Sequence, residues 1–511
     1  MLFIRRGRTC AEGTLIVCCV QQAAGLLDPI ITPPFTDLCS PPSAPPALDR
    51  LASNNPPSHV ELYSTNDTST RTSFEDAVFR ALPKDKGLYM PVALAPLPEE
   101  FWRKLPTSTL PEIGVAIAKQ FVGDEIDGGT LEAIVQRAID FPAPLVPFAR
   151  DADTGLSNYV LDLTRGPSLA FKDFGARFMS GVMTHFLKRR GERLLILVAT
   201  SGDTGGAVAA GFHGSENVRV IILYPKGGVS DVQEAQLTTL GGNVTALRVE
   251  GTFDDCQALV KEAFVDEELR NRVSISSANS INMARLVPQS FYYVEAYRQW
   301  LASGHTDAPI FSVPSGNFGN LTAGLFAAAL GLPVKRFIAA TNANDTVVRY
   351  AETGQYEPRP SVATISNAMD VGAPSNYVRL STLLGSTWNG FRERVYAARF
   401  DDGATEAEML RGFRQNPSYV LDPHTAVGML ALRKYQAEVE ASPGIVLGTA
   451  HAGKFRPDVE RVLGTEIEMP EALTSILEKE QVVEDVPNEY AALKQVVERV
   501  WGRRYGGRAT R

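Results

Sequence analysis

Leu194-Leu195-Ile196-Leu197-Val198-Ala199-Thr200-Ser201-Gly202-Asp203-Thr204-Gly205 passes from six apolar residues straight into a glycine-bearing turn. An unbroken apolar run of this length is what a strand covered on both faces requires. The small residues that follow, 204–212, predict a helix packed close to that strand. The same succession repeats outward. Upstream, residues 159–163 predict a short strand. Phe171, Phe174, Phe178, Val182 and Phe186 then fall at helical spacing as far as about Arg190, with Ser168 as the expected cap. Downstream, 219–224 and 243–249 predict strands, Ser230 opens a helix that stops at Gly241-Gly242, and 253–270 predicts another helix. A long helix over 281–301 leads to a strand at 309–313, a helix at 320–330 and a strand at 334–340. Repeated strand–helix–strand units imply an α/β fold with a largely parallel sheet and helices on both faces. In such folds ligands bind beyond the carboxyl ends of the strands.

Three segments carry chemistry. Ser168-Leu169-Ala170-Phe171-Lys172-Asp173-Phe174-Gly175 sets Lys172 against an apolar stripe. A lysine on an amphipathic helix is usually a solvated surface charge. One drawn toward an apolar site gives up its proton more readily, as a Schiff-base amine must. Ser201-Gly202-Asp203-Thr204-Gly205 reads either as a tight strand-to-helix turn or as an anion cradle. In the second case the hydroxyls of Thr200, Ser201 and Thr204 and the backbone N–H groups suit a substrate carboxylate. Gly316-Asn317-Phe318-Gly319-Asn320 follows a strand and opens a helix, and its glycines let backbone approach a phosphate. Both loops follow strands and so fall on the carboxyl edge. A lysine followed by two such loops is the set that pyridoxal phosphate needs: an amine for its aldehyde, a cradle for its phosphate, and a site in which it can serve as electron sink. Gly448-Thr449-Ala450-His451-Ala452-Gly453-Lys454 matches the opening of a nucleotide-binding loop, but Phe455 stands where a magnesium-binding hydroxyl is required.

The bulk numbers set limits. At 511 residues the chain has room for about two to four domains. It is 44% hydrophobic and 21% charged, with a net charge of −8, which argues against non-specific nucleic-acid binding. No run of about 18 apolar residues offers a membrane span. Of the five cysteines only Cys256 lies in the expected core, no C-x-x-C occurs, and the six histidines show no metal-ligand spacing. These features predict a reducing compartment and no metal. Residues 1–59 differ in kind. Arg5, Arg6 and Arg8 precede a short apolar run and then a proline-rich stretch. The layout resembles a targeting peptide, but the run is short and no convincing small-x-small cleavage site follows directly. The competing expectations are a disordered tail, or translation upstream of a true start at Val60.

Tyr63-Ser64-Thr65, Ser73-Phe74-Glu75-Asp76-Ala77 and Lys86-Gly87-Leu88-Tyr89-Met90-Pro91 resemble the N-terminal domain of threonine synthases. Those enzymes belong to the pyridoxal phosphate fold type II superfamily. Leu169-Ala170-Phe171-Lys172-Asp173-Phe174 resembles that family's Schiff-base segment. Asn279-Ser280-Ile281-Asn282-Met283-Ala284-Arg285 and Ser366-Asn367-Ala368-Met369-Asp370 are similar to it as well. The resemblance runs from about Val60 to about Gly464. It implies parallel-sheet large and small domains. The expected division is an extension at 1–59, an N-terminal domain at 60–145, a catalytic core at 146–470 with a small subdomain at about 170–290, and a helical tail at 471–511.

By position, Lys172 would bond the cofactor, Gly316 to Asn320 would hold its phosphate, and Thr449 would meet its pyridine nitrogen. Some relatives place asparagine near the cofactor's ring oxygen, where this chain has Asp203. The implied reaction turns O-phospho-L-homoserine and water into L-threonine and phosphate, in the cytoplasm, by a monomer or homodimer. A second phosphate then needs a cation, and Arg285 with Ser280 and Asn282 nearby is the expected group; its alternative is a helix-surface arginine. The rival activities on this scaffold are a phospholyase or a threonine dehydratase, both giving a 2-oxo acid and ammonia. A non-catalytic cofactor-binding protein would be expected to have lost Lys172 or a loop.

Overall fold

Six strands, in the order Val395–Arg399, Arg336–Thr341, Ile310–Pro314, Gly444–Gly448, Tyr159–Asp162 and Leu145–Pro147, form the larger of two main sheets. All neighbours are parallel except the last pair. The smaller sheet is wholly parallel and runs Val483–Pro487, Val244–Glu250, Val218–Pro225, Leu194–Ala199, Ile275–Ser276. This computed structural model describes residues 60–148, 150 and 155–503, all within one compact unit. The 1–59 extension and the last eight residues lie outside the described residues.

Every residue of Leu194–Ala199 is buried. Leu194, Ile196 and Val198 join one apolar cluster, while Leu195, Leu197 and Ala199 join another on the opposite face. That division is the two-residue strand period meeting helices on both sides. The N-terminal helices Leu110–Val122 and Gly128–Ala138 start at Thr109, in a capping box with Glu112, and at Asp127. Ile113, Ile117 and Phe121 are buried, and their helix packs on helix Phe291–Ala302.

Three predicted elements differ in extent. The helix expected over 281–301 is broken into Met283–Leu286, a 3₁₀ turn at Val287–Ser290, and Phe291–Ala302. Pro288 has no N–H to donate and tightens that turn. The helix expected over 253–270 splits at Asp266, which ends Phe253–Val265 and caps Glu267–Arg272 through the Leu269 N–H. The segment from 471 is not only helical. Its strand Val483–Pro487 returns to the smaller sheet beside Val244–Glu250. Helix Tyr490–Gly502 then buries Leu493, Val496, Val497 and Val500 in the same apolar cluster as Leu259 and Val260.

The carboxyl ends of Leu194–Ala199, Ile310–Pro314 and Gly444–Gly448 all border one cleft. No helix among the described residues is long and apolar enough to cross a membrane.

Candidate active site

Lys172 opens helix Lys172–Arg190, later than the predicted cap at Ser168. The backbone N–H of Ser168 instead donates to Asp173 Oδ2 at 2.9 Å. The turn between them is held from outside. Phe171 N–H donates to the Thr449 carbonyl (3.0 Å), His451 N–H donates to the Leu169 carbonyl (3.0 Å), and Ala170 bridges Ala450. Leu169 takes a positive φ of 55° to make this turn. Lys172 and Thr449 are therefore fixed to one another by main chain rather than by flexible side chains.

The Lys172 side chain is only 14% exposed, and its Nζ lies 4.6 Å from the Phe171 ring centre. Burial pushes its amine below the ordinary lysine value; Asp203 opposes this, while Lys454 and Arg285 add to it. Asp203 Oδ2 accepts from Lys172 Nζ at 3.3 Å, and its other oxygen pairs with Lys454 Nζ at 2.7 Å. Burial alone would raise the Asp203 carboxyl, but Lys454 and Lys172 together hold it well below the usual carboxylate range.

The loop after Leu194–Ala199 turns at Gly202, whose φ is +123°. A Cβ there would meet the Gln233 amide at 2.4 Å, so only glycine fits. Thr200 Oγ1 accepts from the N–H groups of Gly202 (2.9 Å) and Gly205 (2.8 Å), so the hydroxyl oxygen braces the loop. In the second loop, Phe318 sits in the left-handed region at φ 58° and opens helix Gly319–Ala329. For a bulky residue this conformation is strained by about 1–3 kcal/mol, the kind of strain that collects at ligand-holding loops. A Cβ at Gly316 would lie 2.8 Å from Met369 Cα, so backbone closes directly over this loop. Asn320 Oδ1 accepts from both Tyr292 and Tyr293 hydroxyls (2.8 Å each), whereas its buried Nδ2 donates to nothing among the described residues.

One pocket gathers Lys172, Thr200, Ser201, Asp203, Thr204, Ser280, Arg285, Gly316, Asn317, Phe318, Gly319, Asn320 and Thr449. Asn282 does not line it. Its amide donates to the Val78 carbonyl (2.8 Å) and the Ser277 carbonyl (3.1 Å), while its oxygen accepts from Ala284 N–H (3.0 Å). Arg285 is buried rather than on a helix surface. It donates to the Ala278 carbonyl at 2.7 Å, and its Nε has no hydrogen-bond partner among the described residues. Burial brings Arg285 down to about 10, with Asp173 opposing. Asp173 is itself raised to about 6 by burial, against the Ser168 hydrogen bond.

Several residues of the site were not read from the sequence. His424 lines the pocket. Its Nε2 accepts from Ala368 N–H (3.1 Å), which leaves the proton on Nδ1 to donate to Asp422 Oδ1 at 2.8 Å. Arg379 is fully buried and donates to the carbonyls of Tyr89, Ser280 and Ile281 and to Asn376 Oδ1. Asn376 in turn donates to Ser280 Oγ (3.0 Å) and the Asn317 carbonyl (3.1 Å), tying the 316–320 loop to the 279–281 turn. Lys454, dismissed with the nucleotide-loop mimic, is sealed at 0% exposure against Asp203 and offers nothing to an outside nucleotide. Helical spacing carries no sign of any of these contacts.

The donor set fits pyridoxal phosphate. A buried amine with a weakened hold on its proton faces a glycine loop closed by backbone, and among the described residues buried donors on Asn320 and Arg285 lack partners. Among the described residues no cluster of three or more His, Cys, Asp or Glu side chains could hold a metal ion.

The sequence matches the family model described as pyridoxal-phosphate dependent enzyme over residues 138–449. It also matches threonine synthase N terminus over 61–139 and threonine synthase, C-terminal over 425–497. It is 43% identical over 450 residues to the threonine synthase of Escherichia coli K12, covering 86% of this chain and 99% of that one. The crystal structure of threonine synthase from Escherichia coli superposes with a TM-score of 0.79 at 41% identity, over 86% of this chain and 99% of that one. A threonine synthase from Brucella melitensis, described as PLP bound, superposes equally well at 35% identity, over 87% of this chain and all of the other. The fold is that of the type II pyridoxal phosphate enzymes. The chain belongs to the threonine synthase family of pyridoxal phosphate-dependent enzymes.

Proposed function

We propose that this enzyme converts O-phospho-L-homoserine and water to L-threonine and phosphate, with Lys172 as both the cofactor-linking amine and the proton carrier. The observation that carries the reading is the meeting, in one pocket, of the Lys172 amine with the 316–320 loop on one side and the 200–204 loop on the other. Pyridoxal phosphate, when bound, supplies a sink for the negative charge left at the substrate's α-carbon. The loop Gly316, Asn317, Phe318, Gly319 and Asn320 would hold the cofactor phosphate, with Thr449 at the ring nitrogen. Ser201 and Thr204 offer hydroxyls, and the start of helix Asp203–Phe212 offers N–H groups, to the substrate carboxylate.

The freed Lys172 amine takes the α-proton and returns a proton later, which its lowered affinity for protons suits. Arg285, with Ser280 at the pocket wall, supplies positive charge for the phosphate that leaves the γ-carbon. Asn282 serves this reading indirectly, by capping the short helix that carries Arg285. The enzyme is taken to act in the cytoplasm, as a monomer or homodimer.

The test is product analysis after incubation of the holoenzyme with O-phospho-L-homoserine. Threonine and phosphate in equal amounts are expected. A 2-oxo acid with ammonia in place of threonine would assign the chain to a phospholyase or dehydratase instead.

A further inference from the structure

Two lysines share one buried carboxylate in this site, and they share it unequally. Asp203 Oδ1 receives Lys454 Nζ at 2.7 Å and Gln233 Nε2 at 3.0 Å, which leaves Oδ2 to Lys172 at the longer distance of 3.3 Å. Lys454 has 0% exposure, and its Nζ also donates to the Ser168 carbonyl at 2.9 Å, four residues before Lys172. Its own carbonyl accepts from Ser230 Oγ at 2.7 Å, so the turn Ala452–Phe455 that carries it is anchored to the N-cap of helix Asp231–Thr238.

We propose that Lys454 is a positioning residue for the reaction: by holding the Asp203 carboxylate, it prevents that carboxylate from fixing the proton on Lys172. This rests on the assignment of Lys172 made above. A lone aspartate at this distance would favour the charged lysine, which can neither bond an aldehyde nor accept a proton. A second cation on the same carboxylate offsets that attraction and adds its own repulsion. The buried trio Lys454, Asp203 and Lys172 thus keeps its carboxylate charged while leaving Lys172 free to lose its proton. The other titratable groups in reach are Arg285 on Met283–Leu286, whose charge also disfavours the Lys172 cation, and the imidazole of His424 on Pro423–Glu438, which faces Asp203. Asp173, on the helix of Lys172, faces Lys454 and Arg177.

The experiment follows the reactivity of Lys172, not turnover. The full-length chain, freed of cofactor, is acetylated with limiting acetic anhydride across a pH series, and the Lys172 peptide is quantified by mass spectrometry. Lys454→Met removes the charge at similar volume, and its labelling midpoint should lie about one pH unit or more above wild type. Adding Asp203→Asn removes the partner charge and should bring the midpoint back to the wild-type value or below it. An unchanged midpoint in Lys454→Met overturns the proposal. So does an upward shift that persists in the double variant, because Lys454 would then act through packing and not through Asp203.

If Lys454→Met does not fold, the stranded Asp203 charge is the reason the proposal gives, and the double variant must fold. A double variant as unstable as the single one overturns it. Borohydride reduction of wild-type holoenzyme separates the two readings. An adduct on a lysine other than Lys172 defeats the assignment of Lys172, whereas an adduct on Lys172 with an unshifted midpoint defeats only the role given to Lys454.

Discussion

Replacing Gly316 by alanine puts one carbon where the fold has no room. The added Cβ would stand 2.8 Å from Met369 Cα and 3.0 Å from the Ala368 carbonyl oxygen, both main-chain atoms, with Val371 at 3.3 Å. Carbon atoms rest at about 3.5–4.0 Å, so the loop or the 368–369 segment must retreat by roughly 1 Å. A shift of that size takes an N–H···O bond out of range, and each bond to a charged acceptor is worth about 1.5–3 kcal/mol. Loss of one such bond to the cofactor phosphate amounts to about 1.5–3 kcal/mol, or a Kd for pyridoxal phosphate raised about 10- to 150-fold, and a second lost bond raises it further. Gly319→Ala is the internal control. Its Cβ would meet a side-chain atom, Ser280 Cβ, at 3.1 Å, and a few tenths of an ångström relieve the contact. Its Kd should rise less than about tenfold. Titration of the cofactor-free full-length variants with pyridoxal phosphate, followed by absorbance, gives both constants, and thermal melts report folding. A folded Gly316→Ala protein with wild-type affinity would mean that this loop does not hold the cofactor phosphate.

Lys172→Ala should lose all turnover and the absorbance of lysine-bound cofactor while binding pyridoxal phosphate reversibly; residual turnover above about a thousandth of wild type would argue for another base. Arg285→Ala should raise KM for O-phospho-L-homoserine about tenfold or more with little change in cofactor Kd, and equal loss of both would reassign it to the cofactor phosphate or to structure. Asp370 is raised to about 6 by burial, with Thr364 and Asn342 opposing. The folded chain therefore holds this proton longer than the unfolded chain does. The group's contribution makes stability fall as pH rises from about 3.8 to about 6, and it is constant above that. The difference in urea midpoint between wild type and Asp370→Asn should change within that window, and a flat difference would refute the assignment.

Leu145–Pro147, Ile275–Ser276, Val395–Arg399 and Gly444–Gly448, short or without a clear alternation, were not read as strands, whereas Leu194–Ala199 was legible because it is apolar on both faces and needed no tertiary information. The helix breaks at Pro288 and Asp266 were less so, because apolar periodicity runs on through a 3₁₀ turn and through a residue that caps two helices at once. Val483–Pro487 was hidden by its charges. Glu484 and Asp485 look like a solvated segment until Arg499 and Arg248 are seen to pair with them across the sheet edge. In the site, the residues beside glycine turns could be read, since turn chemistry is local. Lys454 could not, because its meaning lies in being sealed against Asp203, some 250 residues earlier in the chain. Arg379, His424 and Asn376 act by the same long-range logic.

The main-chain staple between Ala170 and Ala450 has a bearing on how the protein is made. A ribosome delivers Lys172 long before it delivers Thr449 or Lys454. Until then the turn ahead of Lys172 lacks its two hydrogen-bond partners, and Asp203 lacks its closer cation. The smaller sheet is likewise open along Val244–Glu250 until Val483–Pro487 arrives. Closure across such separations is entropically slow. Synthesis of nearly the whole polypeptide therefore precedes a competent cofactor pocket, and a chain cut short before residue 483 leaves an unpaired strand edge exposed to other chains.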